Sequence, residues 1–516
     1  MKYISTAILA LAMVASAAAS AAVSPFECEA DSTPATRIDE LVLARLKQLR
    51  IEPAPICSDA VFVRRAYLDI IGTLPSGHEA QEFLVNRDSG KRAALIDRLL
   101  ERPEFADYWA MKWSDLLRVK AEFPINLWPN ATQSYHHWIR ASIRDNKPYD
   151  LFARELLTGS GSNFRDPPAN FYRAMQNREP AGIAQTVALT FMGTRAENWP
   201  PEELAGMAAF FSQIGAKPTG EWKEEIIYFD PGKATNPLCQ AARLPDGTKV
   251  ALSPAKDPRE VFADWLIRPQ NPWFARNIAN RAWSWLVGRG IIDEPDDIRP
   301  GNPPSNPELL AYLEKELVAS KYDLKVLYRL ILNSRTYQVS SRGSGEPAAT
   351  ANFAVYPVRR LEAEVLIDAV DQVTGTSEKY SSAIPEPFTF IPEGQRSIAL
   401  PDGSITSSFL ELFGRPPRDT GLEGERNNRP TAGQKLHLLN SSHIQRKIEQ
   451  SRMVEYQAKK TPAEMATGMY LGILSRFPTP EETRTVEAYY QTAKPREAAV
   501  DLAWALMNSA EFLYRH

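Results

Sequence analysis

The chain has 516 residues, with 60 Lys and Arg against 63 Asp and Glu and a formal net charge of −3. The basic residues are dispersed, which excludes the concentrated positive stripe that nucleic acid or an anionic membrane would select. Three cysteines are too few for a disulfide framework, so a large hydrophobic core must hold two or three domains, or one elaborated helical domain with insertions.

From the start, Lys2 precedes an apolar run at 8–14 and small residues at 15–22, the layout of a secretory signal over 1–22. No later stretch approaches the ~20 apolar residues a bilayer requires. An extracytoplasmic mature chain without a transmembrane segment is therefore expected. Cys28 and Cys57 are spaced to close one loop worth about 3 to 4 kcal/mol, which would leave Cys239 free. The sequence around Cys239, Asn236-Pro237-Leu238-Cys239-Gln240, supplies no base or helix start to lower its pKa.

A helical domain is expected over 23–222. Within it Tyr67, Leu68, Ile70, Ile71, Pro75, Ser76 and Glu79 are echoed far downstream by Tyr470, Leu471, Ile473, Leu474, Pro478, Thr479 and Glu482. Both copies carry a helix-starting capping box, Ser76 with Glu79 and Thr479 with Glu482. Both also run on to a Glu-Phe pair, Glu104-Phe105 and Glu511-Phe512, so one helical module is used twice. Trp109 and Trp113, like Trp273, Trp283 and Trp285, follow helical spacing and read as core. His136 and His137 read as one packed ring and one wet ring.

Residues 223–257 read as a β insertion. The run 224–229 is apolar and partly β-branched, and after the turn Pro245-Asp246-Gly247 the run 249–252 is the expected partner strand. A second helical domain follows over 258–516, with linker composition near 340–351. Asn306 should cap a helix opened by Pro307, and Leu324, Leu327, Tyr328, Ile331 and Leu332 form one apolar stripe. A second small hairpin is expected from 388–391 and 397–400. The fold class is thus mainly α, multi-helical, with a small β-hairpin insertion.

Chemistry is sparse. The six histidines form no His-Glu-x-x-His, and the spacing of His437 and His443 puts them on different faces of a helix. The acidic run 293–297 lacks the turning glycine of a calcium loop. No phosphate loop, dinucleotide fingerprint or nucleophile elbow occurs. No metal and no cofactor are expected. The densest mixture of charge and glycine is the stretch 415–426. There Arg415, Arg418 and Arg426 are candidates to grip an anion, and Asp419, Glu423 and Glu425 are weak candidates for acid and base. The plainer reading is an ion-paired surface loop.

Several phrases together resemble the paired planctomycete domains of unknown function, the second planctomycete cytochrome-c-like domain followed by the first planctomycete-specific domain. They are the stretch 62–69, Asn146-Lys147-Pro148-Tyr149-Asp150, Asn280-Arg281-Ala282-Trp283, the stretch 304–310, the stretch 332–337 and Leu438-Leu439-Asn440. The resemblance implies a Cys-x-x-Cys-His haem segment just after Gly193 and, in many relatives, a Cys-x-Cys in the charged loop. Here 194–203 contains neither cysteine nor histidine, and Leu422 and Gly424 stand in the loop. Covalent haem is accordingly not expected.

The function that follows is a secreted, non-haem binding or scaffold component of a cell-envelope assembly, with other secreted or envelope proteins as partners. One alternative is a hydrolase of extracellular polymers using the carboxylates of the 415–429 loop. The other is an accessory to a separate cytochrome in electron transfer. A scaffold should show the charged loop exposed, whereas an enzyme should show Asp419, Glu423 or Glu425 in a deep pocket with raised carboxyl pKa values.

Overall fold

Ser76 and Thr479 start their helices as their sequences predict. Glu79 N donates to Ser76 Oγ at 3.2 Å while Ser76 N donates to the Glu79 carboxylate at 2.8 Å. The same reciprocal pair joins Glu482 N to Thr479 Oγ1 at 3.2 Å and Thr479 N to Glu482 at 2.7 Å. The structure, a computed structural model, describes residues 25–27 and 33–516; the signal segment and Cys28 lie outside the described residues, and the Cys28 to Cys57 pairing with them.

Each module is three helices, Asp59–Ile70, Gly77–Val85 and Lys91–Leu100 in one, Pro462–Leu474, Pro480–Tyr490 and Pro495–Met507 in the other. In the first, Arg102 bridges Glu79 at 2.8 Å and Glu104 at 2.6 Å and lies over the Tyr67 ring. In the second, Arg476 bridges Glu482 at 2.8 Å and Glu511 at 2.7 Å over the Tyr470 ring. The acids and the tyrosine occupy equivalent positions, but the arginine reaches the clamp from opposite ends of the module. The modules meet where Gly77 packs on the backbone of Gly472. Arg64 reinforces the seam by donating to the carbonyls of Ile473 and Phe512, each at 2.9 Å.

The side chain of Arg476 is 7% exposed and that of Arg102 29%. Removing the more buried cation strands two carboxylates in a poorly solvated place. Arg476→Ala is therefore expected to cost about 2 to 3 kcal/mol, and Arg102→Ala at most about 1 kcal/mol. Urea denaturation of both variants checks this, and equal losses would refute the ranking by burial.

The strand Glu225–Phe229 is present, but its partners differ from those expected. It pairs antiparallel with Ile214–Pro218, Ala216 opposite Ile227, and on its other edge with Gly161–Ser162. The run 249–252 instead closes a local turn, with Leu244 N donating to Thr248 O and Val250 N to Ala242 O. The prolines at 231 and 237 open short 3-10 turns after the strand, whose two edges are already paired. The second hairpin does not form either. Ser397 N and Ile398 N donate to Asp368 at 2.7 and 3.2 Å, in a 3-10 turn over Ser397–Ala399.

The two helical parts share one core. Trp109 stacks on Tyr328 at 4.4 Å and meets Trp285 at 5.4 Å, joining the helices Pro103–Leu116, Phe274–Val287 and Leu324–Leu332. The segment near 340–351 is tied to the first part: Ser340 N donates to Pro55 O and Ala54 N to Ala354 O, both at 2.7 Å. A short two-stranded ladder pairs Arg359–Arg360 with Tyr514–Arg515. Asn306 caps its helix by accepting from Leu309 N at 3.0 Å. His136 is buried and His137 exposed. Among the described residues no helix is long and apolar enough to cross a membrane.

Candidate functional site

The charged stretch 415–426 is ion-paired, with Pro417, Thr420 and Gly424 exposed and its arginine heads turned inward. It lies against the end of the helix Pro103–Leu116, the start of the helix Ala363–Thr374 and the helix Phe274–Val287. Glycine makes this approach feasible at two points. Gly414 has φ +80°, and a Cβ there would run into the carbonyl oxygen of Asn427. Gly421 has φ +73° with Leu116 O and the Arg118 guanidinium against it. Gly414→Ala is expected to destabilise by about 2 to 4 kcal/mol, since both strain and a backbone clash oppose it. A thermal unfolding midpoint within a degree of the parent would contradict this account.

All three candidate arginines are consumed inside the fold. Arg418 Nε donates to Asp115 at 2.9 Å, and its Nη1 faces the carbonyls of Val119 and Pro401. Arg426 bridges Asp115 and Glu364, each at 2.6 Å. Arg415 pairs with Glu364 at 3.4 Å and donates to the carbonyls of Asp402 and Ile405. Burial lowers the Arg415 guanidinium to about 10, helped by the neighbouring Arg418. Arg415 Nε and Arg418 Nη2 keep no hydrogen-bond acceptor, but both are buried, so an external anion has no direct access to them.

The carboxylates are arranged differently. Asp419 pairs with Lys120 at 2.6 Å. Glu425 caps the loop's own backbone, accepting from Asp419 N at 2.9 Å and Thr420 N at 3.2 Å. Glu423 accepts from Trp285 Nε1 at 2.9 Å and from Arg281 at 3.4 Å. Burial pushes both glutamic acids up, against Arg281 and Lys112 at Glu423 and against backbone donors at Glu425. Neither of the two best-formed cavities is lined by these residues. One of them, open to solvent, lies over Phe105, Trp109, Trp113, Tyr149, Phe152 and Tyr328. The pKa direction at Glu423 and Glu425 matches the enzyme expectation.

Glu423 also marks a junction. Its backbone N donates to Asp296 at 2.6 Å, and Asp296 pairs with Arg281 at 2.5 Å. Arg281 reaches Leu189 O at 3.2 Å, while Ile298 N donates to Gly193 O at 2.8 Å. The segment after Gly193 and the loop around 422–424, both places where the chain departs from its resemblance, are therefore joined through one buried cluster. Asp296 belongs to a buried ion pair, not to a solvated acidic loop.

A second buried network was not read from the sequence. Lys112 pairs with Glu362 at 2.7 Å, and Glu362 also pairs with Arg515. Arg515 continues to Asp69 at 2.8 Å, which accepts from Tyr337 OH at 3.0 Å and Tyr356 OH at 2.8 Å. The charged string Arg359-Arg360-Leu361-Glu362-Ala363-Glu364 was the available signal.

His437 and His443 were expected on separate faces and instead meet. The helix Ala432–Asn440 ends at Ser441, an extended residue that also caps the helix Ser442–Glu449. This corner brings His437 Nε2 to 3.2 Å from His443 Nδ1. Among the described residues no group of three or more His, Cys, Asp or Glu side chains is arranged to hold a metal ion.

On the surface, rings from three distant segments gather. Trp128 lies 6.5 Å from Trp222 and 5.4 Å from Phe388, and Trp222 and Phe388 are 69% and 51% exposed.

These features define a mainly α protein whose two helical parts are cross-braced by buried ion pairs. The chain belongs to the family of paired planctomycete domains: residues 37–214 match PSCyt2, protein of unknown function (DUF1549), and residues 258–490 match PSD1, protein of unknown function (DUF1553). No curated protein and no solved structure matches it.

Proposed function

We propose that the protein acts outside the cytoplasm as a non-haem binding or scaffold component of a cell-envelope assembly, its partners being other secreted or envelope proteins. The observation that carries this reading is the ring cluster in which half-buried Trp128 gathers the exposed Trp222 and Phe388 on an ion-braced body. Large exposed aromatics are costly to leave in water and supply contact area at low entropic cost, which is why they concentrate at binding surfaces. The internal pairing of Arg415, Arg418 and Arg426 departs from the exposed loop expected of a scaffold, so the ring cluster alone carries the reading.

Cross-linking in the intact envelope followed by capture tests it. The double variant Trp222→Ala with Phe388→Ala should lose the partner recovered by the parent, while Glu423→Gln and Glu425→Gln retain it. Unchanged recovery with the double variant would overturn the reading. One observation favours a polymer hydrolase as the second reading: the raised carboxyls of Glu423 and Glu425. Cleavage of an envelope polysaccharide that disappears in Glu423→Gln would move the assignment there.

A further inference from the structure

The corner at Ser441 does more than break a helix. His443 Nε2 lies 2.9 Å from Glu378 Oε2, and the Glu378 side chain, 6% exposed, is gripped by Lys447 at 3.3 Å, which also pairs with Asp371 at 2.6 Å. With the Glu378 carboxylate as acceptor for a hydrogen on His443 Nε2, the neutral ring turns the lone pair of Nδ1 toward His437. A carboxylate on the far nitrogen is the outer-sphere arrangement that fixes the tautomer and orientation of a metal-bound imidazole.

The geometry between the rings fits the same chemistry. Two imidazole nitrogens bound to one tetrahedral ion at about 2.0 to 2.1 Å stand roughly 3.3 to 3.4 Å apart, and the two facing nitrogens are 3.2 Å apart. Phe409 supports both rings, at 5.7 Å from His437 and 6.0 Å from His443, and both histidines are part-exposed, so an ion and water have access. Glu378 faces the pair directly, with Lys447 and its partner Asp371 behind it. We infer that His437 Nε2 and His443 Nδ1 form a two-imidazole site for a divalent transition ion, with water in the remaining positions. Without a thiolate the site should favour Cu²⁺, Ni²⁺ and Zn²⁺ over soft Cu⁺. A neutral pair accepts the ion when the hydrogen on His437 Nε2 moves to Nδ1, so no net proton is released. A protonated pair must first lose one, and binding therefore weakens in acid.

The test is calorimetric titration of the untagged mature protein with ZnCl₂ and CuCl₂ in chelator-free buffer at neutral pH. One ion per chain is expected, with micromolar affinity because only two protein ligands contribute. Affinity should fall at least tenfold in His437→Ala and in His443→Ala, and about tenfold in Glu378→Gln. Circular dichroism establishes that the variants are folded. Electron paramagnetic resonance of the Cu²⁺-loaded parent should report two imidazole nitrogens, which decides the matter even where a variant fails to fold. A spectrum with any other nitrogen count, or full affinity in the His437→Ala, His443→Ala double variant, would overturn the inference.

Discussion

Replacing Glu362 by alanine is expected to remove about 3 to 5 kcal/mol of stability, a large share of the ~5 to 15 kcal/mol that holds a domain folded. Glu362 is buried and pairs with both Lys112 and Arg515. Burial by itself would raise its carboxyl, but Arg515, Lys112 and Arg426 outweigh that and hold it well below the ordinary range. Without the carboxylate, two cations face one another in the interior, with Asp69 left to compensate Arg515. Lys112 lies within 37–214 and Glu362 within 258–490, so the loss falls on the joint between the two matched regions. Glu362→Gln keeps an acceptor for Lys112 and should lose about half as much. Urea denaturation of both variants measures this; a loss below about 1 kcal/mol for Glu362→Ala would mean that the network contributes shape without net stability.

The helices were legible because their signals are local. The capping boxes at Ser76 and Thr479, the Asn306 cap and the stripe from Leu324 to Leu332 depend on residues within two turns of one another, and each appears as read. The strand pairing was not, because register is settled by partners brought from elsewhere. Ile227 lies opposite Ala216 and Gly161, whereas the nearby turn at 245–247 suggested 249–252. The charged loop misled for a related reason. Its glycines and charges resemble a solvated loop, and nothing within it reveals that Asp115 and Glu364 wait underneath. The His437 to His443 contact was hidden by one residue, Ser441, whose extended backbone turns a six-residue spacing into a face-to-face pair.

The phrases that carried the family resemblance acquire a physical meaning here. Arg64, Arg65 and Asp69 in the stretch 62–69, Asn280 and Arg281, Asn306, and Tyr337 are all buried polar groups that bond to distant backbone or to each other. Asn280 is typical, donating to Ile292 O at 2.9 Å and accepting from Ile292 N at 2.8 Å. Buried polar groups specify a single partner, because any other arrangement leaves a donor or acceptor unmet.

Arg426→Ala is expected to cost a further about 3 to 5 kcal/mol at neutral pH and also to change how stability depends on acid. Arg426 joins Asp115 and Glu364 at 2.6 Å each. Glu364 is fully buried, which would raise its carboxyl, but Arg426 and Arg415 outweigh this and bring it down to about 2. A carboxyl whose folded pKa lies below its unfolded value contributes stability above the unfolded value, near 4.5, and loses it as pH falls toward the folded one. For Glu364 the gap corresponds to roughly 3 kcal/mol, and Glu362 adds in the same direction. The parent should therefore lose stability steeply between about pH 4.5 and 2. In Arg426→Ala the Glu364 carboxyl moves upward, so the variant starts lower at neutral pH and follows a flatter acid limb. Urea midpoints collected from pH 7 down to 2 separate this from simple loss of packing. Parallel acid limbs in parent and variant would show that Arg426 does not hold Glu364 ionised.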